Sequence, residues 1–127
     1  DITRDIKGHW LSQPTPLIHQ ITLDELGLYD VGRIRPESTY ARRFPQQIGH
    51  EGVRVPTLRQ LFQMAKESDV RFNVETKISP TEKEESVSPE DFVTAILDVT
   101  VSEGMVSRTT TCSGNLNLAT PFASKNV

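Results

Sequence analysis

Glu75 and Lys77 stand two residues apart in the run Arg71-Phe72-Asn73-Val74-Glu75-Thr76-Lys77. A carboxylate is a hard oxygen donor suited to a divalent cation, and a lysine ammonium offers a point charge to a phosphate. Together such groups can stabilise charge that develops on phosphoryl oxygens during displacement. A solvated ion pair on an edge strand, of little energetic worth, explains the same two residues. The choice depends on which elements carry them and on what surrounds those elements.

The run alternates. Val70, Phe72, Val74, Thr76 and Ile78 point one way, and Arg71, Asn73, Glu75 and Lys77 the other, which predicts a strand over Val70–Ile78. Strands covered on both faces of a parallel sheet read as continuous apolar runs, and this one does not. Its polar side therefore faces either water or a polar interior such as a barrel lumen. Glu75 and Lys77 share that side at the C-terminal end of the strand, the end at which α/β barrels build active sites.

A helix leads directly into this strand. Thr57 precedes Leu58, Leu61, Phe62 and Ala65, an apolar stripe at helical spacing, and Gln60 completes a capping-box pattern with Thr57. Pro56 keeps the helix from extending backwards. After the strand, Ser79–Val87 is a charged connector expected to be solvated. Ser88-Pro89-Glu90-Asp91 then opens a second helix, with Phe92, Val93, Ile96, Leu97 and Thr100 as its buried stripe and Gly104 at its end. Val106–Cys112 is β-branched and reads as a second strand. Helix, strand, helix, strand in that order implies a parallel sheet with crossover connections. Residues 113–127 show no confident element.

Upstream, Asp1–Gln20 reads as an ordered loop. Thr22–Asp30 gives a short helix with Thr22 as N-cap, Glu25 three residues on, and Leu23, Leu26 and Tyr29 on one face. Asp30–Pro56 carries Gly32, Pro36, Pro45, Gly49, Gly52 and Pro56, so no long element fits there. Long loops of this kind are lids or are disordered, and Tyr29, Tyr40 and Phe44 favour an ordered lid.

Composition bounds the classes. The 127 residues suit one domain with a modest core, and a charged fraction of 24% against 35% hydrophobic favours a soluble globular chain. Net charge is −3 with no basic cluster interleaved with aromatics, which argues against a nucleic-acid partner. No apolar run is long enough to span a bilayer. Cys112 is the single cysteine, so an internal disulfide is excluded, and a small buried residue is its expected role.

The segment VPTLRQLFQMAKESDVRFNVETK resembles the stretch of glycerophosphodiester phosphodiesterases in which a Pro-Thr-Leu helix leads into an Asn-x-Glu-x-Lys strand. ITRDIKGHWL, LIHQITLDELGLYDVGRI and RRFPQQ are similar to the insertion that bacterial members carry after their second barrel strand. The resemblance runs from about Ile2 to Thr111. It implies a segment of a (β/α)₈ TIM-type barrel with a long insertion loop, residues 1–56 being the insertion and 57–112 a helix-strand-helix-strand piece of the barrel. It also implies hydrolysis of glycerophosphodiesters to an alcohol and glycerol 3-phosphate. By position, Glu75 becomes a ligand of a divalent cation, calcium or magnesium, and Lys77 a contact to the substrate phosphate. Insertion-bearing bacterial relatives are often exported, so a periplasmic or secreted location is suggested.

The departures from that pattern set further expectations. The catalytic histidines and the other acidic ligands of the family lie on the first two strands, ahead of the position of Asp1. His9, His19 and His50 do not match them and read as surface or loop residues, while Arg4 follows an early Arg-Thr motif. Cys112-Ser113-Gly114 stands where the family has Gln-Ser-Phe. Two strands cannot close a barrel that takes about 250 residues, so this chain by itself is expected to be inactive. The rival expectation is a non-catalytic α/β interaction module with Glu75 and Lys77 merely solvated.

Overall fold

The computed structural model describes residues 1–77 and 83–113 and divides the chain into two compact units, Asp1–Pro56 and Thr57–Val127. Ile78, residues 79–82 of the charged connector and the tail 114–127 lie outside the described residues.

In the first unit, short helices form wherever a cap is encoded. Thr22 and Glu25 form the expected capping box: the Thr22 hydroxyl accepts from the Glu25 N–H, and the Glu25 carboxylate accepts from the Thr22 N–H at 2.7 Å. The resulting helix α1 spans Leu23–Leu26. One turn cannot bury a whole face. Leu26 and Tyr29 are half-buried as expected, but Leu23 is 63% exposed. Ser38 caps α2, Thr39–Arg43, and the Tyr40 and Phe44 rings meet at a 55° tilt with centroids 5.1 Å apart.

Asp30 ties this unit together. Its backbone pairs with Arg4 in both directions, at 2.8 and 2.9 Å. Its side chain accepts from the Arg4 guanidinium at 2.7 Å and from the N–H groups of Gly32 and Gly52, both at 2.9 Å. Those amide donors, Gly32 first, hold the carboxyl well below its ordinary range, at about 2, and the Arg4 charge adds to them. Arg4 also lies over the Trp10 ring, 5.6 Å from its centroid. The long stretch after Asp30 is ordered by backbone bonds of the same kind, Val31 N–H to the Val53 carbonyl and His50 N–H to the Gly32 carbonyl. Gly32 is required there, because any Cβ would collide with the His50 carbonyl oxygen.

The second unit follows the sequence pattern closely. Helix α3, Leu58–Met64, starts on a capping box made by Thr57 and Gln60. Of its stripe, Phe62 is fully buried, Leu58 and Ala65 are half-buried, and Leu61 is 38% exposed. Strand β1, Phe72–Thr76, alternates in burial as its sequence alternates in polarity. Phe62 meets Phe72 edge to face at 4.9 Å, so the helix packs on the apolar side of the strand.

Helix α4, Pro89–Ser102, begins at Ser88, whose hydroxyl accepts from the Asp91 N–H. Phe92, Ile96 and Leu97 are half-buried and Thr100 is buried, whereas Val93 is 39% exposed. The Thr100 hydroxyl donates to the Ile96 carbonyl at 2.7 Å, which satisfies it inside the core. Gly104 takes a positive φ of 68°, and the Gly104 and Met105 N–H groups return to Val101 and Thr100. That double bond is the Schellman ending, and it turns Met105 into the core.

The second strand is later than its β-branched run suggests. Val106–Arg108 is a 3₁₀ turn, and β2 spans Thr109–Ser113. The Arg108 N–H closes this turn on the Met105 carbonyl at 3.0 Å, and the Arg108 side chain reaches back from it. Its guanidinium donates to the Val70 carbonyl at 2.6 and 3.0 Å and to the Ala65 carbonyl at 3.0 Å. β1 and β2 then pair in parallel, in register from Phe72 with Thr109 to Thr76 with Ser113.

Candidate functional site

Parallel pairing decides which side chains share a face. Register partners point to the same side, so Asn73 lies beside Thr110 and Glu75 beside Cys112. Burial agrees: these four are exposed, and Phe72, Val74, Thr109 and Thr111 between them are half-buried. One side of the ladder packs on α3, and the other is an open polar face.

Glu75 and Lys77 occupy this open face at the C-terminal end of β1. The Lys77 ammonium stands 3.8 Å from the Glu75 carboxylate, with the two side chains 82% and 47% exposed. An exposed pair at that distance contributes little to folding, so stability does not explain its presence. The pair leaves one hard oxygen donor and one mobile cation side by side. Among the described residues, no three His, Cys, Asp or Glu side chains gather closely enough to hold a metal ion. Glu75 therefore suits a divalent cation in donor type, and supplies one carboxylate where a hard cation takes six or more oxygens.

The other candidates separate cleanly. His9 and His50 are exposed loop residues of the first unit, and His19 is an exposed residue of the 3₁₀ turn Ile18–Gln20. Arg4 is engaged with Asp30 and Trp10, a role in holding its own unit together. Cys112 departs from expectation: it is exposed, not buried, because its register with Glu75 places it on the open face. The alternation in Thr109-Thr110-Thr111-Cys112 holds that information, but only once the start of the strand is known. Nothing local in the sequence marks Arg108, whose carbonyl partners lie 38 to 43 residues upstream.

No protein-family model matches the chain, and no curated protein matches it. Among solved structures it is similar to the protein from Silicibacter pomeroyi DSS-3 described as a putative glycerophosphoryl diester phosphodiesterase, at 30% identity and a TM-score of 0.77. That similarity covers 88% of this chain and 39% of the other, so the chain spans well under half the length of the protein it matches. The resemblance carried by the Pro-Thr-Leu helix and the Asn-x-Glu-x-Lys strand is thus met in three dimensions over most of the chain.

Proposed function

We propose that this chain is a segment of a (β/α)₈ barrel phosphodiesterase that hydrolyses glycerophosphodiesters to an alcohol and glycerol 3-phosphate. Glu75 and Lys77 lie together at the C-terminal end of a parallel strand, in a chain similar to a glycerophosphoryl diester phosphodiesterase, and that observation supports the reading. Glu75 is one ligand of a calcium or magnesium ion, and Lys77 engages the phosphate. The cation supplies charge neutralisation at the phosphoryl oxygens. Lys77 adds a second positive charge on a flexible stem, so it can follow the phosphate as charge builds. In the overall reaction water adds to phosphorus, the bond to the alcohol oxygen breaks, and a proton reaches the leaving alcohol. A single carboxylate and a lysine cannot both fill a cation's coordination sphere and move two protons. The remaining ligands and the acid and base therefore come from other strands of the barrel.

A second reading has its own support. Lys77 and Glu75 are 82% and 47% exposed, which is what a solvated pair on an interaction module would show. The test uses a complete barrel that carries this segment. Glu75→Gln should cost at least about tenfold in activity at limiting cation. Lys77→Ala should raise KM for the diester while leaving cation affinity nearly intact. Unchanged activity in both variants at limiting cation would leave the solvated pair as the better account.

A further inference from the structure

We infer that the loop clasped by Asp30 is a peripheral docking surface for an anionic lipid bilayer. Singly exposed apolar residues need no account, but this loop gathers three within nine residues, beside three cations. Tyr40, Phe44 and Ile48 are 39%, 47% and 77% exposed. Tyr40 and Phe44, four residues apart, share one side of α2, and Arg43 falls on that side three residues after Tyr40. Arg33 is matched by Glu51 at 3.1 Å, whereas Arg35, Arg42 and Arg43 have no carboxylate within 4 Å among the described residues. Charge also separates within the unit. Asp1–Pro56 holds seven lysines and arginines and seven aspartates and glutamates, yet four arginines and only two glutamates fall between Gly32 and Gly52. The loop therefore carries +2 and the rest of its unit −2, an asymmetry that turns the loop toward a negative surface.

The clasp makes the loop ready to bind. Gly32 and Gly52 both donate to the Asp30 carboxylate, and the His50 N–H returns to the Gly32 carbonyl at 2.8 Å, so the base of the loop is already closed. Little ordering entropy is then lost when the tip engages a partner. An anionic bilayer meets this arrangement at two depths, with lipid phosphates for the arginines and an apolar boundary for the rings and Ile48. A nucleic acid meets it less well. The Tyr40 and Phe44 rings are turned against each other at 55° instead of offering open faces to bases, and the aliphatic Ile48 gains nothing from a polar backbone.

Co-sedimentation of the 127-residue chain with lipid vesicles tests this without reference to the phosphodiesterase reading. Vesicles of about 30% phosphatidylglycerol in phosphatidylcholine should bind the chain at low salt, phosphatidylcholine alone should not, and about 0.5 M salt should release it. Arg42→Gln with Arg43→Gln should weaken binding about 25-fold, at about fivefold for each basic residue near such a surface. Phe44→Ser with Ile48→Ser should weaken it about tenfold and leave its salt dependence in place. Lys66→Gln with Arg71→Gln removes the same charge from exposed positions of the second unit and should change binding by less than about twofold. Trp10 fluorescence, which reports the fold of the first unit, should be the same in both loop variants. Equal losses from the two pairs of charge substitutions would reduce the effect to net charge and overturn the docking surface. So would equal binding to neutral and anionic vesicles, or no binding to either. Tighter binding to a single-stranded oligonucleotide than to vesicles, or self-association that Phe44→Ser abolishes, would overturn it in favour of a nucleic acid or a second copy.

Discussion

Arg108→Met removes a guanidinium while keeping most of its apolar stem, so it isolates the polar contacts that join the start of β2 to the end of α3. Four donor–acceptor contacts disappear: two to the Val70 carbonyl at 2.6 and 3.0 Å, one to Ala65 at 3.0 Å and one to Lys66 at 3.5 Å. The last is at the limit of a hydrogen bond and counts for little. The two bonds to Val70 share one acceptor, so two carbonyls are firmly engaged. A hydrogen bond to a charged group is worth about 1.5–3 kcal/mol net when desolvated, and partial exposure here reduces that to about 1 kcal/mol for each carbonyl. Ala65 closes α3, where a cation also meets the negative end of the helix, a further few tenths of a kcal/mol. The expected loss is about 2 kcal/mol. Arg108→Lys, which can serve one carbonyl, should lose about half of that. Urea titration should show a lower midpoint with an unchanged m-value. A methionine variant within about 0.5 kcal/mol of the unsubstituted chain would show that the contacts are solvated surface bonds and that packing alone fixes the strand.

Phe62→Ala should be costlier, at about 3–5 kcal/mol, because Phe62 is 1% exposed and loses its edge-to-face partner Phe72; Leu61→Ala, one residue away and 38% exposed, should cost much less in the same titration. Gly104→Ala should lose about 1 kcal/mol from backbone conformation alone, since φ is 68° and no atom lies within 4 Å of the added carbon; a midpoint equal to that of the parent would mean the Schellman turn relaxes freely. Asp30, held at about 2 against an ordinary value of 3.8, gives stability that is fully present above pH 4 and is lost as pH falls toward 2. The single tryptophan, Trp10, should report this transition by fluorescence, and Asp30→Asn should flatten that acid limb.

The elements that the sequence shows most clearly are those whose determinants are local. Thr57 with Gln60 and Thr22 with Glu25 are capping boxes complete within four residues, and both form. The Val70–Ile78 alternation needs only adjacent residues, and it emerges over Phe72–Thr76, while Val70, ahead of the strand, is 51% exposed and Ile78 lies outside the described residues. The parallel pairing of two strands separated by a helix follows from element order. What is hidden depends on distant partners. β2 starts at Thr109, after a 3₁₀ turn whose Arg108 bonds the Val70 carbonyl 38 positions back, and the β-branched run alone cannot show that. Cys112 follows from the same cause: a strand start displaced from Val106 has to be known before a residue near its end can be assigned a face. Asp30 in turn gathers Arg4, Gly32 and Gly52 across 26 and 22 positions, so its importance is invisible to any short window. Glu75 and Lys77 were legible as a pair, and the rest of a cation's ligand set has no counterpart among the described residues.

The parallel ladder also constrains how this unit can fold. Every rung joins residues 37 positions apart, from Phe72 with Thr109 to Thr76 with Ser113. A hairpin can zip from its turn, each rung closing a slightly longer loop than the last. Here no rung is nearer in sequence than another, and the first must bear a closure entropy of about 3 kcal/mol, with a constant besides, before any other helps. The ladder therefore has no natural starting end. Its nucleus has to come from outside the strands. Arg108 reaching Val70 and Ala65, 38 and 43 positions back, closes a loop of about the same length at the point where both strands begin, so it shares that first closure with the ladder and does not avoid it. Once that junction closes, the remaining rungs form within an already short loop, so the face that carries Glu75 assembles as one event.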